Sequence, residues 1–299
     1  MDSPFIHAEE LLRRHGRSFY LAARFLPHAA CERATRLYAF CRLLDDIADA
    51  AGDPERAKQC LFELREDLKT SQQSLARIYA SIELSNDLPA QALLLALAED
   101  TGPRQIQNCD ELIRYCYGVA GTVGLMMADI LAASCDSALS HALDLGIAMQ
   151  LVNISRDVQD DAERERIYVP AEWLPAKVGA AELREAPMLA WDAVQRTLQT
   201  AESYFDSGFQ GLRFLPKDCQ RGIWMAGRVY QEIGKEILRR GPRSLLRRTV
   251  VPRWRKIAIG LSCRLTPLKQ APFGPIFPTQ HNGKLHHSMA GLFGTDLTR

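Results

Sequence analysis

Two acidic runs have the residue types and spacing to hold a hard metal ion. Asp45 and Asp49 stand four apart in Asp45-Asp-Ile-Ala-Asp49. Asp157 and Asp161 stand four apart in Asp157-Val-Gln-Asp-Asp161, and Asn153 lies one turn earlier. On a helix that spacing aims both side chains the same way. Carboxylate and amide oxygens suit Mg²⁺, which keeps several waters and bridges carboxylates to phosphate. Around the second run, Leu143, Ile147, Leu151, Ile154 and Val158 form an apolar stripe, with Gln150, Asn153, Asp157 and Asp161 beside it. Acids next to a buried face need a cation or hydrogen-bond donors. A single Asp-x-x-x-Asp is more often a solvated face or an ion-pair partner. Two such sets beside apolar stripes point instead to metal held against an anionic, oily substrate.

Basic and aromatic residues accompany the acids. Arg42 lies on the first segment, Arg156 on the second, and Arg164 and Arg166 just after it; a cluster from Arg247 to Lys256 adds more. Arginine binds phosphate through two parallel bonds and lysine as a point charge. The C-terminal cluster reads equally well as a solvated basic surface or a membrane-headgroup contact. Phe19, Tyr20, Tyr38, Tyr115, Tyr117 and the run Gly118-Val-Ala-Gly-Thr-Val-Gly124 offer an apolar wall with an aromatic edge, although helix–helix packing accounts for most such residues. No glycine loop after a strand and no zinc motif occurs.

The elements that must position these groups read as helices. The chain is rich in Ala, Leu and Arg and poor in alternating β-branched runs, so an all-α fold is expected. A helix over 30–51 places Tyr38, Arg42, Asp45 and Asp49 on one stripe. Asp53-Pro54 is an N-cap with proline in the first turn. Residues 105–133 read as one long helix softened by Gly118, Gly121 and Gly124, which signal a bend or a close approach. Residues 137–160 carry the second acidic set, followed by a charged turn over 162–170. Helices near 180–186, 188–211, 217–240 and 252–265 complete the chain. No linker divides residues 1–268, which are expected to form one domain. Residues 269–299 are expected to be a poorly ordered tail.

Bulk properties narrow the function. The 299 residues carry 37 Lys+Arg against 36 Asp+Glu, so nothing in the overall charge favours nucleic acid. The eight cysteines form no Cys-x-x-Cys pair and read as reduced core residues of a cytoplasmic protein. No signal peptide is expected from the opening residues and no apolar run of transmembrane length occurs, so contact with a membrane is expected to be peripheral at most.

Five ordered motifs then carry a resemblance. Arg17-Ser-Phe19, Tyr38-Ala-Phe-Cys-Arg-Leu-Leu-Asp-Asp-Ile-Ala-Asp49, Tyr115-Cys-Tyr-Gly-Val-Ala-Gly-Thr-Val-Gly124, Gln150-Leu-Val-Asn-Ile-Ser-Arg-Asp-Val-Gln-Asp-Asp161 and Arg166-Ile-Tyr-Val-Pro170 closely resemble the squalene/phytoene synthase family, its bacterial phytoene-forming branch above all. The match runs from about residue 11 to 265. It implies a class I isoprenoid synthase fold, a single helical domain around a central cavity. It implies a prenyltransferase that joins two prenyl diphosphates head to head with Mg²⁺, for which Mn²⁺ can substitute.

On matching positions, Asp45, Asp49, Asn153, Asp157 and Asp161 are implied to hold metal, the four aspartates being the catalytic set. Ser18, Arg42, Arg156, Arg166, Tyr168, Tyr230, Arg248 and Lys256 are implied to bind or orient diphosphate. Phe19, Tyr38, Tyr115 and Gln150 are implied to line the cavity. Asp160 stands where the family usually has Glu, with the charge kept. The expected partners are prenyl diphosphates and downstream isoprenoid enzymes.

The resemblance favours two C20 geranylgeranyl diphosphates joined to phytoene through a cyclopropyl (prephytoene) diphosphate, with no reductant. The runner-up takes two C15 farnesyl diphosphates to squalene (with NADPH), presqualene diphosphate or dehydrosqualene. Ala22, Ala23 and Thr35 are small where the first helices close the tunnel, which suits the longer chain. A Mg²⁺-dependent diphosphatase would share the acids without the large cavity. A non-catalytic assembly or lipid-binding relative should have lost motif acids that are all present here.

Overall fold

The computed structural model describes residues 4–49, 53–66, 68, 74–133, 135, 137–266, 271 and 281–295. Fourteen α-helices dominate them: α1 (Pro4–His15), α2 (Arg17–Ala23), α3 (His28–Ala48), α4 (Pro54–Glu66), α5 (Ser74–Ala80), α6 (Leu88–Glu99), α7 (Cys109–Cys116), α8 (Thr122–Ile130), α9 (Ser137–Arg156), α10 (Val158–Glu163), α11 (Ala180–Glu185), α12 (Trp191–Gly211), α13 (Lys217–Arg240) and α14 (Arg253–Leu265). The expected all-α fold around a central cavity is what the structure shows.

Helix α9 is the axis. It packs on α12, α8 and α13, and Leu143, Ile147 and Leu151 are fully buried in the larger core with Phe205. A second core joins α3, α4 and α6 through Phe40, Leu44, Leu61 and Leu94. Val119 packs against both.

The 105–133 stretch is not one helix. Asn108 caps α7 by accepting from the Glu111 amide, and a π-helical segment, Tyr117–Gly121, separates α7 from α8. Such bulges break the regular ladder. The glycines mark both a bend and a close approach: a Cβ at Gly124 would sit 2.2 Å from the Ala142 carbonyl oxygen, and one at Gly146 would sit 2.3 Å from that of Ala120. Backbone therefore meets backbone between this stretch and α9.

The 137–160 helix is also interrupted. Asp157 (φ −106°, ψ 17°) separates α9 from α10. Its amide still donates to Asn153 and its carbonyl still accepts from Asp161, so the acidic stripe survives. A two-residue parallel ladder, which helical periodicity could not forecast, pairs β1 (Arg104–Gln105) with β2 (Arg166–Ile167). It brings the loop after α6 beside the turn after α10.

The expectation of a disordered tail fails for residues 281–295. His281 and His286 each place Nε2 on the Asp144 carboxylate, at 2.7 and 2.8 Å, and the Ser207 hydroxyl donates to it too. Asp144 lies on α9 and has no solvent exposure. The Tyr204 hydroxyl donates to the Leu285 carbonyl, and Met289 is buried. The histidines that made the tail look polar are what anchors it. Residues 267–270, 272–280 and 296–299 lie outside the described set.

Burial alone would push the Asp144 carboxyl up, but the two imidazoles hold it below the usual carboxylate range. Its contribution to stability is therefore complete above about pH 4 and is lost as pH falls further. Asp144→Asn is expected to cost roughly 3 kcal/mol in urea unfolding, the typical cost of breaking a buried pair. It should also expose residues 281–295 to proteolysis; unchanged stability and protection would refute the anchor.

Candidate active site

The chamber between α2, α3, α8, α9 and α13 has a volume of about 300 Å³ and an overwhelmingly apolar wall. Phe19, Tyr38, Cys41, Gln150, Asn153 and Tyr230 line one part of it, and Ala22, Ala23 and Thr35 another. The aromatic edge is continuous. The Phe19 ring lies 6.2 Å from Tyr38 and 5.3 Å from Tyr230. Asp45 and Asp157 each stand one helical turn beyond a wall residue, Cys41 and Asn153. The acids thus sit at one end of an oily chamber.

Two of those acids, Asp45 and Asp161, are only weakly compensated by the fold. Asp45 reaches solvent on one side, yet crowding by protein pushes its carboxyl up to about 7; Arg42 opposes the shift while Asp49, Asp46 and Asp100 add to it. Burial and Asp157 hold Asp161 well above the ordinary range, with Arg164 opposing and Asp100 adding. Asp100 thus acts on one acid from each set. The Asn153 amide donates to the Gln150 side chain at 3.1 Å, while its own Oδ1 is buried without a hydrogen-bond partner. An orphaned amide oxygen beside crowded carboxylates is an all-oxygen donor set short of positive charge, and it fits Mg²⁺.

Cationic side chains bracket the set. Arg166 reaches back from β2 to Asp49 at 2.6 Å. The residue before it, Glu165, adopts φ +59°, a left-handed conformation uncommon for a residue with a side chain, and it pairs with Arg184. Arg156 clamps Asp157 through two bonds, and Arg248 approaches the same carboxylate at 3.1 Å. Arg42 pairs with Asp46 on its own helix. Lys256 is half-buried on α14. The side chain of Ser18 is outside the described set.

One expected wall residue stands elsewhere than supposed. Tyr115 is not on the chamber wall: its ring stacks on Tyr168 at 4.6 Å, and both hydroxyls donate to one oxygen of Asp100, at 3.0 and 2.7 Å. Arg104 lies 3.6 Å from the other oxygen and over the Tyr115 ring. Tyr168 and Asp100 both lie near enough to favour the charged form of Arg166.

Sequence reasoning missed Asp100 and Arg104. The available signal was an acid at the C-terminal end of an apolar helix, where the helix dipole disfavours negative charge. Burial raises the Asp100 carboxyl, while Tyr168, Arg166, Arg104 and Tyr115 favour its charged form.

Comparison with known proteins agrees with this geometry. Residues 12–255 match the family described as squalene/phytoene synthase. The chain belongs to that family. A phytoene synthase from Cereibacter sphaeroides is 33% identical over 294 residues, covering 91% of this chain and 82% of that one. One from Pseudescherichia vulneris is 35% identical over 277 residues, covering 85% and 88%. Among solved structures, a ligand-bound dehydrosqualene synthase superposes with a TM-score of 0.74 at 27% identity, over 87% of this chain and 95% of that one. The chain is accordingly a prenyltransferase-type enzyme.

A metal competes with the proton for the Asp45 carboxylate. Because protein crowding raises that carboxyl to about 7, Mg²⁺ affinity is expected to rise from pH 6 to pH 8 and flatten above it. Calorimetric titration at three pH values checks this; affinity independent of pH would show that metal displaces no proton from Asp45 in this range.

Proposed function

We propose that the protein joins two geranylgeranyl diphosphates head to head, forming phytoene by way of prephytoene diphosphate and releasing diphosphate. The carrying observation is a single apolar chamber whose acidic end is built from α3 and from the α9–α10 junction. A diphosphatase would need the acids but not a chamber long enough for two prenyl chains.

Asp45, Asp49, Asn153, Asp157 and Asp161 hold magnesium, or manganese in its place. When bound, the metal neutralises the diphosphates and draws electrons toward the departing group. The chain's own residues do the rest. Arg166, Arg156 and Arg248 meet diphosphate oxygens, with Lys256 and Arg42 nearby, and favour the charge that develops on the leaving group. Asp100, through Tyr168 and Arg104, positions Arg166.

The allylic cation then faces Phe19, Tyr38 and Tyr230, whose ring faces favour positive charge. Their apolar surroundings keep water away from it. The second chain's double bond attacks C1, and the tertiary cation this forms loses a proton to released diphosphate as the cyclopropane closes. A second ionisation and rearrangement ends in loss of a proton, for which released diphosphate is the base. No hydride is needed, so no NADPH is called for.

Ala22, Ala23 and Thr35 lie in the chamber wall, where small side chains leave length for C20 chains rather than C15. Among the described residues, no helix is long and apolar enough to cross a membrane. The enzyme works in the cytoplasm and meets the membrane peripherally, where a C40 hydrocarbon has somewhere to go.

Purified protein with Mg²⁺ and geranylgeranyl diphosphate is expected to yield phytoene by liquid chromatography. Farnesyl diphosphate should serve poorly; a C30 product formed preferentially would support the runner-up, and free prenyl alcohol alone would support a diphosphatase. Asp45→Asn and Asp157→Asn should each lower turnover by about two orders of magnitude or more while leaving the helical circular dichroism intact. Ala23→Phe should shift preference toward the C15 substrate, and unchanged preference would remove the argument from chamber length.

A further inference from the structure

The basic C-terminal helix carries a second, unexplained feature. Trp254, Ile257, Leu261 and Leu265 on α14 are 65%, 56%, 53% and 76% exposed. At 100° per residue they fall within one narrow stripe. Cys263, on the opposite side, and Gly260, about 100° round from the ridge, are the buried residues of this helix. Leu246 and Val250, just before α14, are exposed as well. Scattered apolar residues on a surface need no explanation, but a contiguous ridge does.

The charge around the ridge is one-sided. No Asp or Glu occurs between Glu236 and Asp296, although the whole chain is nearly neutral. Some of the local arginines are already answered: Arg239, Arg240 and Arg255 pair with Glu236, and Arg248 with Asp157. Arg253 and Arg264 are exposed on α14 and flank the ridge on one side. Arg243 and Arg247 are exposed on the approach to it.

We propose that α14 is a docking surface for an anionic lipid bilayer, lying in the plane of the headgroups with its Trp254–Leu265 ridge inserted and its arginines on lipid phosphates. Apolar insertion combined with an acid-free basic flank is the physical signature of such helices. Nucleic acid would meet the arginines but leave the leucines without a partner. The helix is also placed to matter. A Cβ at Gly260 would lie 3.1 Å from Met225 Cε on α13, and Ile223 and Ala226 of α13 line the chamber. The ridge therefore belongs to a helix packed on the outer side of a chamber wall. The docking itself does not rest on the proposed activity.

Co-sedimentation of the full-length protein with vesicles of phosphatidylcholine, with and without phosphatidylglycerol, tests this without any substrate. Binding is expected only with phosphatidylglycerol and should weaken as salt rises. Ile257→Glu/Leu261→Glu should lower vesicle affinity by about tenfold or more, and Arg253→Gln/Arg264→Gln should reduce the salt dependence. Circular dichroism confirms that each variant is folded. Equal binding by wild type and the Glu pair, no binding to anionic vesicles, or retention on RNA in preference to vesicles would each overturn the proposal. Product formation assayed separately in detergent keeps failure of the surface distinct from failure of the activity.

Discussion

Placing carboxylates beside an apolar wall is costly unless positive charge answers them, and this protein does it on two segments at once. Asp45 and Asp161 are both held toward their protonated forms, and the Asn153 oxygen has no hydrogen-bond donor. Such an arrangement suits a site that takes up cations. The oily chamber and the acids are therefore one device. In the proposed reaction the chamber would give the prenyl chains a dry place, and the acids, through metal, would give their diphosphates a fixed end.

What keeps the device rigid is a smaller network behind it. Asp100 takes two tyrosine hydroxyls on one oxygen and faces Arg104 with the other. The β1–β2 ladder then sets Arg104 directly opposite Arg166, and Arg166 reaches Asp49 across the site. One chain of contacts thus links the end of α6, the turn after α10 and the end of α3. Conserving charge at Asp160, in place of the family's glutamate, leaves that chain untouched, because none of its bonds runs through residue 160.

The helical class, the two acidic sets and the aromatic wall were all legible in the sequence, because each follows from periodicity and residue type. Asp45 and Asp157 could be placed one turn beyond chamber residues by counting. The rest depended on contacts that counting does not see. Asp100 is 68 residues from Tyr168, and the two-residue ladder beside them brings that pair together. Tyr115 looked like wall because it sits in a glycine-rich apolar run, but its hydroxyl needed a buried acceptor and found Asp100. The tail looked disordered because its composition is polar and proline-rich; His281 and His286 are instead the donors that a fully buried Asp144 requires.

That last cluster also supplies the sharpest contrast for the metal assignment. Oxygen and nitrogen atoms of His141, Asp144 and His281 lie within 4.8 Å of one another, a nitrogen-rich set less suited to a hard cation than the aspartates. Anomalous diffraction from crystals soaked with Mn²⁺ and an unreactive prenyl thiodiphosphate distinguishes the two. The account predicts manganese peaks between Asp45/Asp49 and Asn153/Asp157/Asp161, with the prenyl chain running past Phe19 and Tyr230. Manganese at the histidine cluster alone, or a thiodiphosphate bound without metal between the two aspartate sets, would contradict it.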